Sequence, residues 1–302
     1  MWSYVIPHFD TYLKNIELRP AEHIDATGKA ERVARCLWSK YYFGDFNSNC
    51  YVIVGSYGKR TASRPPSDLD ILFVLPSTDY SRIEQLLGNK QSQLLQEVKR
   101  GMSTTFTLTD LRADGQVVLA PFQTYKVEVV PSFLLKNGTY ITAHTPDGGS
   151  WRATNPAAEC QAIADADSVS SGKATHLIKM LKPWKRECSV DIKSISLEVL
   201  ACEFVKQWEF RSKSLFYYDW LVRDFFEFML RYRFGWTRVP GTSEKIELGE
   251  AWYSKCQSAY NRALKACEYE RVDWESLSAE EWRKVFGNQF CMVQPRGSAA
   301  SA

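Results

Sequence analysis

Carboxylates set inside short apolar strands constrain this chain more than any other feature. The runs Y-V-I-V-G-S, S-D-L-D-I-L-F-V-L-P and K-V-E-V-V-P read as strands near 50–55, 68–75 and 124–130. Side chains alternate along a strand, so Asp68 and Asp70 share one face with Leu69 packed behind them. The same alternation turns Val127 and Val129 toward a core and Glu128 away from it. An unpaired charge among valines is costly to bury, so Glu128 requires a cation or a partner. The two solutions open to it are a metal ion and a salt bridge to Lys126 or Arg64.

The segment joining the first two strands, G-S-Y-G-K-R-T-A-S-R-P-P, supplies a complementary chemistry. Gly55 and Ser56 offer backbone that approaches an anion closely, plus a hydroxyl. Gly58 keeps the turn open, and Lys59, Arg60 and Arg64 make it electropositive. Each piece alone is common, since D-x-D and Gly-Ser both occur in ordinary strands and turns. Their order is far less so. Three sets of acidic oxygens beside a phosphate-friendly turn suit two Mg²⁺ ions, which prefer oxygen ligands and keep water and phosphate in their coordination shell. Such a pair of ions clamps the attacking and leaving oxygens in nucleotidyl transfer.

V-G-S-Y-G-K-R-T-A-S-R-P-P-S-D-L-D-I-L-F-V-L-P resembles the signature of the bacterial CD-NTases, relatives of animal cyclic GMP-AMP synthase and oligoadenylate synthase. V-E-V-V-P-S-F resembles the family's third-acid strand, and W-R-A-T-N-P the segment leading into its C-terminal helices. L-I-K-M-L-K-P-W-K with K-S-I-S-L-E-V-L resembles its phosphate- and nucleobase-contacting helices. The likeness runs from about Tyr51 to Val205. It implies an α+β fold: a polymerase-β-like nucleotidyltransferase core, a mixed sheet with flanking helices, followed by a C-terminal helical lobe.

By that resemblance Asp68 and Asp70 contact both metals, and Glu128 the metal that activates the attacking hydroxyl. Gly55 and Ser56 hold the triphosphate, while Lys182 and Ser194 contact its β- and γ-phosphates. Ile195 stands where relatives often carry a base-stacking tyrosine. Glu128 replaces the commoner Asp, adding a methylene to its reach. Pro183 follows Lys182 directly; a helix-interior proline deletes a backbone hydrogen bond and kinks the helix, re-aiming its neighbour.

The implied activity is template-independent joining of nucleoside triphosphates, ATP or others, bound between core and helical lobe. The product would be a cyclic oligonucleotide second messenger, read by a separate effector protein in antiphage defence, with room for a regulatory protein partner. Resemblance alone supplies the cyclic product. Three other readings share these residues: a linear oligonucleotide or tail-adding polymerase, an enzyme that transfers a nucleotide to a small molecule or protein, and a nucleotide-binding sensor without catalysis. Intact carboxylates weigh against the sensor, since a binding module has little use for two metals.

Composition bounds the rest. At 302 residues the chain buries a substantial core in one or two domains. A formal net charge of +3 argues against obligatory binding of long nucleic acid. Lys179, Lys182, Lys185 and Arg186 form a second basic group; of these Lys185 and Arg186 fit a solvated helix face. The eight cysteines (36, 50, 160, 188, 202, 256, 267 and 291) contain no C-x-x-C pair and read as reduced residues of a cytoplasmic protein. The four histidines (8, 23, 144 and 176) form no ligand pattern. No apolar run reaches the roughly 18 residues of a membrane helix.

The pattern divides the chain into N-terminal helices with the catalytic core over 1–150, a helical lobe over 151–296 and a small-residue tail over 297–302. Val33, Leu37, Trp38 and Tyr41 mark an amphipathic helix over 28–43. A helix is expected near 80–99, with short strands near 104–109 and 116–119. Asp110 and Asp114, beside Gly115, fit turn chemistry. Helices are expected from Trp151 onward, with Asn155-Pro156 at their start. The aromatic-rich C-terminal half (W-E-F, F-Y-Y-D-W, D-F-F-E-F-M) reads chiefly as core, with Arg231, Arg233 and Arg238 as candidates to line an acceptor pocket.

Overall fold

The computed structural model describes residues 2–66 and 68–292, apart from the Asp114 side chain. The 297–302 tail lies outside the described residues. The chain divides into two compact units, 18–160 and 1–17 together with 161–302. The boundary expected after 150 differs from this division, which falls at 17/18 and 160/161 and groups the first helix, α1 (Val5–Ile16), with the C-terminal half.

The 18–160 unit is α+β. It opens with α2 (Pro20–Tyr41), longer at its start than the 28–43 expectation because Pro20 occupies the first turn and the Glu22 carboxylate accepts the Arg19 N–H at 2.7 Å. Ala26, Ala30, Val33, Ala34 and Leu37 recur at helical spacing and are fully buried. Then come β1 (Tyr51–Ile53), the one-turn α3 (Gly55–Gly58) and β2 (Leu69–Val74). Two helices, α4 (Ser77–Glu84) and α5 (Lys90–Ser103), replace the single one expected near 80–99. Gly88, at φ +75°, turns the chain between them, and the Asn89 side chain caps α5 by accepting the Ser92 N–H at 2.9 Å.

The strand expected near 104–109 is a turn. Thr105 and Phe106 both donate their N–H groups to the Met102 carbonyl, so the chain leaves α5 by turning back on it. The apparent alternation hid this, because Phe106 is buried while Leu108 is wholly exposed. The sheet continues with β3 (Arg112–Asp114), β4 (Val117–Pro121), β5 (Lys126–Leu134), β6 (Tyr140–His144) and β7 (Ser150–Thr154). Helical structure therefore begins after Trp151, at α6 (Pro156–Ser170), with the Asn155 side chain accepting the Ala158 N–H at 3.1 Å.

The seven strands form one mixed sheet in the order β1-β2-β5-β4-β3; β6 pairs with β5 and with β7. β2 and β5 run parallel, and the other pairs are antiparallel. Leu69, Ile71, Phe73, Val127 and Val129 point from one sheet face into a core completed by α2 and by Leu94, Val98 and Met102 of α5. That leaves the opposite face of β2 and β5 to Asp70, Leu72, Glu128 and Val130.

The second unit contains α1, α7 (Lys173–Glu187), α8 (Ser194–Gln207), α9 (Tyr218–Leu230), the two-stranded β8 (Trp236–Arg238) and β9 (Lys245–Glu247), α10 (Tyr253–Arg271) and α11 (Glu275–Phe286). Its aromatics are core, as their density suggests: Trp184, Phe225, Phe226, Trp252, Trp282 and Phe286 are almost fully buried, with Phe9 and Tyr12 of α1 among them.

Phe73 is fully buried in the 18–160 core. Phe73→Ala should lower the stability of this unit by about 3–5 kcal/mol, read as an earlier urea midpoint at unchanged slope.

Candidate active site

Register brings the first two acids together. Asp70 on β2 lies directly opposite Glu128 on the parallel β5, and Leu69 opposite Val127. Because Val127 and Val129 are anchored in the core, Glu128 has no choice but the other face. The Asp70 and Glu128 carboxyl groups lie close enough to share a hydrogen bond when one of them carries a proton. Burial, then the negative charges of Asp70 and Asp68, push Glu128 up to about 7; the nearby Lys126 ammonium opposes this. Asp68, one residue before β2, is thus close enough to act electrostatically on Glu128.

The Gly-Ser turn is fitted to this acidic patch. Gly55 has φ +57°, and a Cβ added there would fall 1.9 Å from an Asp70 carboxylate oxygen. No side chain fits at 55 while Asp70 holds its place, and a left-handed conformation costs other residues about 1–2 kcal/mol. Gly58 is equally confined, since a Cβ there would lie 2.4 Å from the Ile53 carbonyl oxygen. The Ser56 carbonyl accepts the N–H groups of Thr61 and Ala62 at 2.9 and 3.0 Å, closing the loop behind the turn.

A cavity of about 580 Å³ opens on this face of the 18–160 unit. Gly55, Gly58, Lys59, Asp70 and Glu159 line it together with Val52, Leu72, Val130, Tyr140 and Thr142. Its walls are apolar with a few converging polar groups, the usual make-up of a small-molecule site.

The basic loop is more neutralised than its sequence suggests. Lys59 pairs with Glu159 at 2.8 Å, both side chains largely buried, and Arg64 pairs with Glu22 at 3.1 Å. Of the salt-bridge alternatives for Glu128, Arg64 is therefore engaged with Glu22, while Lys126 contributes its charge at a distance. Sequence reasoning missed Glu159, because a partner a hundred positions away leaves no local signal.

Lys182, Ser194 and Ile195 belong to the second unit. α7 runs from Lys173 to Glu187 through the buried Pro183, and the Lys182 ammonium lies 4.0 Å from the buried Glu198 carboxylate. Ser194 opens α8, and its hydroxyl accepts a hydrogen bond from Lys185 at 3.0 Å. Ile195 is half-buried. Lys179 pairs with Glu17 at 2.6 Å, which separates its role from that of Lys182. Among the candidates for an acceptor pocket, Arg233 pairs with Glu250, and Arg238 lies against the Trp236 ring.

Among the described residues, no group of three or more His, Cys, Asp or Glu side chains is already arranged to hold a metal ion. The donor chemistry nonetheless fits magnesium. Mg²⁺ takes one or two protein carboxylates and completes its octahedron with water and phosphate. Asp70 and Glu128 in contact, with Asp68 adding negative charge, offer hard oxygen donors whose mutual repulsion a divalent cation relieves.

A mixed sheet that sets Asp70 and Glu128 against a glycine-serine turn, with Asp70 and Gly55 lining a cavity in front, agrees with the nucleotidyltransferase with a polymerase-β-like core that the resemblance implies. The family described as Second Messenger Oligonucleotide or Dinucleotide Synthetase domain matches residues 4–167, over half of the chain. The chain belongs to this family.

It is 22% identical over 274 residues to a protein of Bacillus cereus named as a probable cyclic nucleotide synthase, covering 78% of this chain and 80% of that one. It is 25% identical over 266 residues to a cyclic AMP-AMP-AMP synthase of Acinetobacter, covering 82% and 74%. The fold is similar to that of Vibrio cholerae DncV cyclic AMP-GMP synthase in complex with a linear intermediate, 5' pppA(3',5')pG, with TM-score 0.72, 11% identity, and 94% and 97% of the two chains covered. At that identity the likeness is one of fold.

The raised Glu128 pKa has a thermodynamic consequence in the metal-free protein. The folded state holds the proton more tightly than the unfolded chain, so this contribution to stability is complete below the ordinary value of 4.5 and is lost as pH rises to about 7. Urea unfolding in EDTA across that window should show stability falling with pH in the wild type, and a shallower fall in Glu128→Gln.

Proposed function

We propose that this protein is a template-independent, magnesium-dependent nucleotidyltransferase that joins nucleoside triphosphates into a cyclic oligonucleotide and releases pyrophosphate. The observation that carries this reading is the proximity of Glu128 to Asp70, which itself lies against Gly55 at the cavity wall. Asp68, Asp70 and Glu128 would hold two magnesium ions. These ions supply charge neutralisation of the attacking and leaving oxygens in an in-line displacement.

The residues divide the remaining work. Gly55, with no side chain, leaves its backbone open to the triphosphate, and Ser56 adds a hydroxyl donor. The rigid β2–β5 ladder fixes the spacing of the acids, which matters because positioning accounts for much of such a rate enhancement. A sugar hydroxyl oxygen bonds to the α-phosphorus, its proton passing to water, while the α–β phosphoanhydride bond breaks and pyrophosphate departs. Repeating the step on the linear product's own 5′-triphosphate closes the ring. Lys182 and Ser194 are assigned to phosphate contacts and Ile195 to the base, on family resemblance.

The relatives' names support cyclisation, and the linear intermediate in the Vibrio cholerae structure supports two successive transfers. The family resemblance, and nothing in the geometry, implies that the product is read by a separate effector protein in antiphage defence. Cytoplasmic placement accords with eight free cysteines. Among the described residues no helix is long and apolar enough to cross a membrane.

Incubation with Mg²⁺ and all four labelled triphosphates, resolved by mass spectrometry, should yield a phosphatase-resistant cyclic product. A phosphatase-sensitive product would favour the linear reading. Asp68→Asn combined with Asp70→Asn should abolish pyrophosphate release, and turnover at the wild-type rate would overturn the metal assignment. Gly55→Ala, which must displace Asp70, should lower turnover by about 100-fold in a folded protein, a loss of the size expected from misplacing a reacting group by an ångström.

A further inference from the structure

The ion pair between Lys59 and Glu159 has no part in the roles assigned above, yet it stands at the cavity wall beside Asp70 and Gly55. Its charges are largely withdrawn from water, with side-chain exposures of 8% and 15% at 2.8 Å separation. Lys59 is rigidly tied to the Gly-Ser turn, because its backbone N–H donates to the Gly55 carbonyl at 3.1 Å. The turn in turn is pressed on β1 at Gly58, whose carbonyl also lies 3.7 Å from the Cys160 thiol. The Lys59 backbone is therefore fixed beside Gly55, while its ammonium is held at the cavity wall by Glu159.

Glu159 is suited to giving Lys59 up. It lies in the first turn of α6, where the partial positive charge of the helix N-terminus stabilises a carboxylate without help from a cation. A triphosphate brings several negative oxygens, and an ammonium forms stronger, shorter hydrogen bonds to such charged acceptors. We propose that Lys59 exchanges partners on substrate binding, leaving the Glu159 carboxylate for an oxygen of the incoming triphosphate. Glu159 is then a positioning residue that keeps the ammonium aimed at the cavity and sets the threshold for anion entry. The inference rests on the triphosphate reading of this cavity.

The exchange makes a prediction of unusual sign, because deleting a carboxylate at the cavity wall should strengthen binding. Inorganic tripolyphosphate serves as probe, titrated calorimetrically into the full-length wild type, Glu159→Gln, Lys59→Met and the double variant with magnesium present. Glu159→Gln should bind about 5-fold tighter or more, since the buried ammonium then gains most from an anion. Lys59→Met should bind at least 10-fold weaker, and the double variant should follow Lys59→Met. In turnover assays Glu159→Gln should lower KM and kcat together, a split that loosened packing does not produce. Should Glu159→Gln fail to fold, Glu159→Asp, which shortens the reach to Lys59, should give a smaller gain of the same sign.

Unchanged or weaker binding by the Glu159 variant overturns the exchange. If the affinities order as stated while the wild type releases no pyrophosphate from any of the four triphosphates, the proposed reaction falls and the exchange stands. If pyrophosphate is released and Glu159→Gln binds no tighter, the reaction stands and the exchange falls.

Discussion

Like charges held side by side on adjacent parallel strands are the constraint around which the 18–160 unit is arranged. Left alone, Asp70 and Glu128 repel, and burial together with this repulsion pushes Glu128 up to about 7. Such crowding opposes folding, and a strand pair would not adopt it for stability. The valines and isoleucine alternating with the acids reverse the balance: burying Leu69, Ile71, Val127 and Val129 on one face forces Asp70 and Glu128 together on the other. Hydrophobic burial thus does the electrostatic work, since a fully buried aliphatic side chain is worth about 1.5–3 kcal/mol. Perturbed carboxylates in a cavity are a recurrent mark of chemistry.

The turn at Gly55 follows from the same crowding. With an Asp70 oxygen where a Cβ would be, the backbone and the carboxylate approach as closely as atoms allow. Anything bound by the acids therefore also meets the open backbone of the turn. The Lys59–Glu159 pair stands at the wall of the same cavity as Asp70 and Gly55. Acidic patch, glycine turn and buried lysine together suit a ligand that carries both metal and phosphate.

Much of this was legible in the sequence because it is local. Alternation around Asp70 and Glu128 specified which way each side chain faces, and the register of β2 on β5 agrees with that reading. The α+β class, the aromatic core and the glycine turn followed from similarly short patterns. What was missed is of two kinds. Elements whose pattern is ambiguous were misread: Thr-Phe-Thr-Leu-Thr near 104–108 alternates like a strand but turns back on α5, and the break at Gly88 and Asn89 was absorbed into one helix. Asn155-Pro156 marks the start of α6 as the sequence suggests, but the β7 strand just before it, around Trp151, left no signal because its pairing with β6 is set by tertiary contact. Long-range pairs were invisible for the same reason. Glu159 and Glu22, which hold Lys59 and Arg64, lie on helices remote in sequence, so the loop looked more electropositive than it is.

Catalysis as proposed requires the acidic patch to bind divalent ions together with a triphosphate. The most direct measurement is a crystal structure of the protein with Mn²⁺ and a non-hydrolysable nucleoside triphosphate, with the metal located by its anomalous scattering. Manganese bounded by the carboxyl groups of Asp68, Asp70 and Glu128, with phosphate oxygens completing its shell beside Gly55, is the expected result. A triphosphate bound with its metal away from those three side chains would contradict the account.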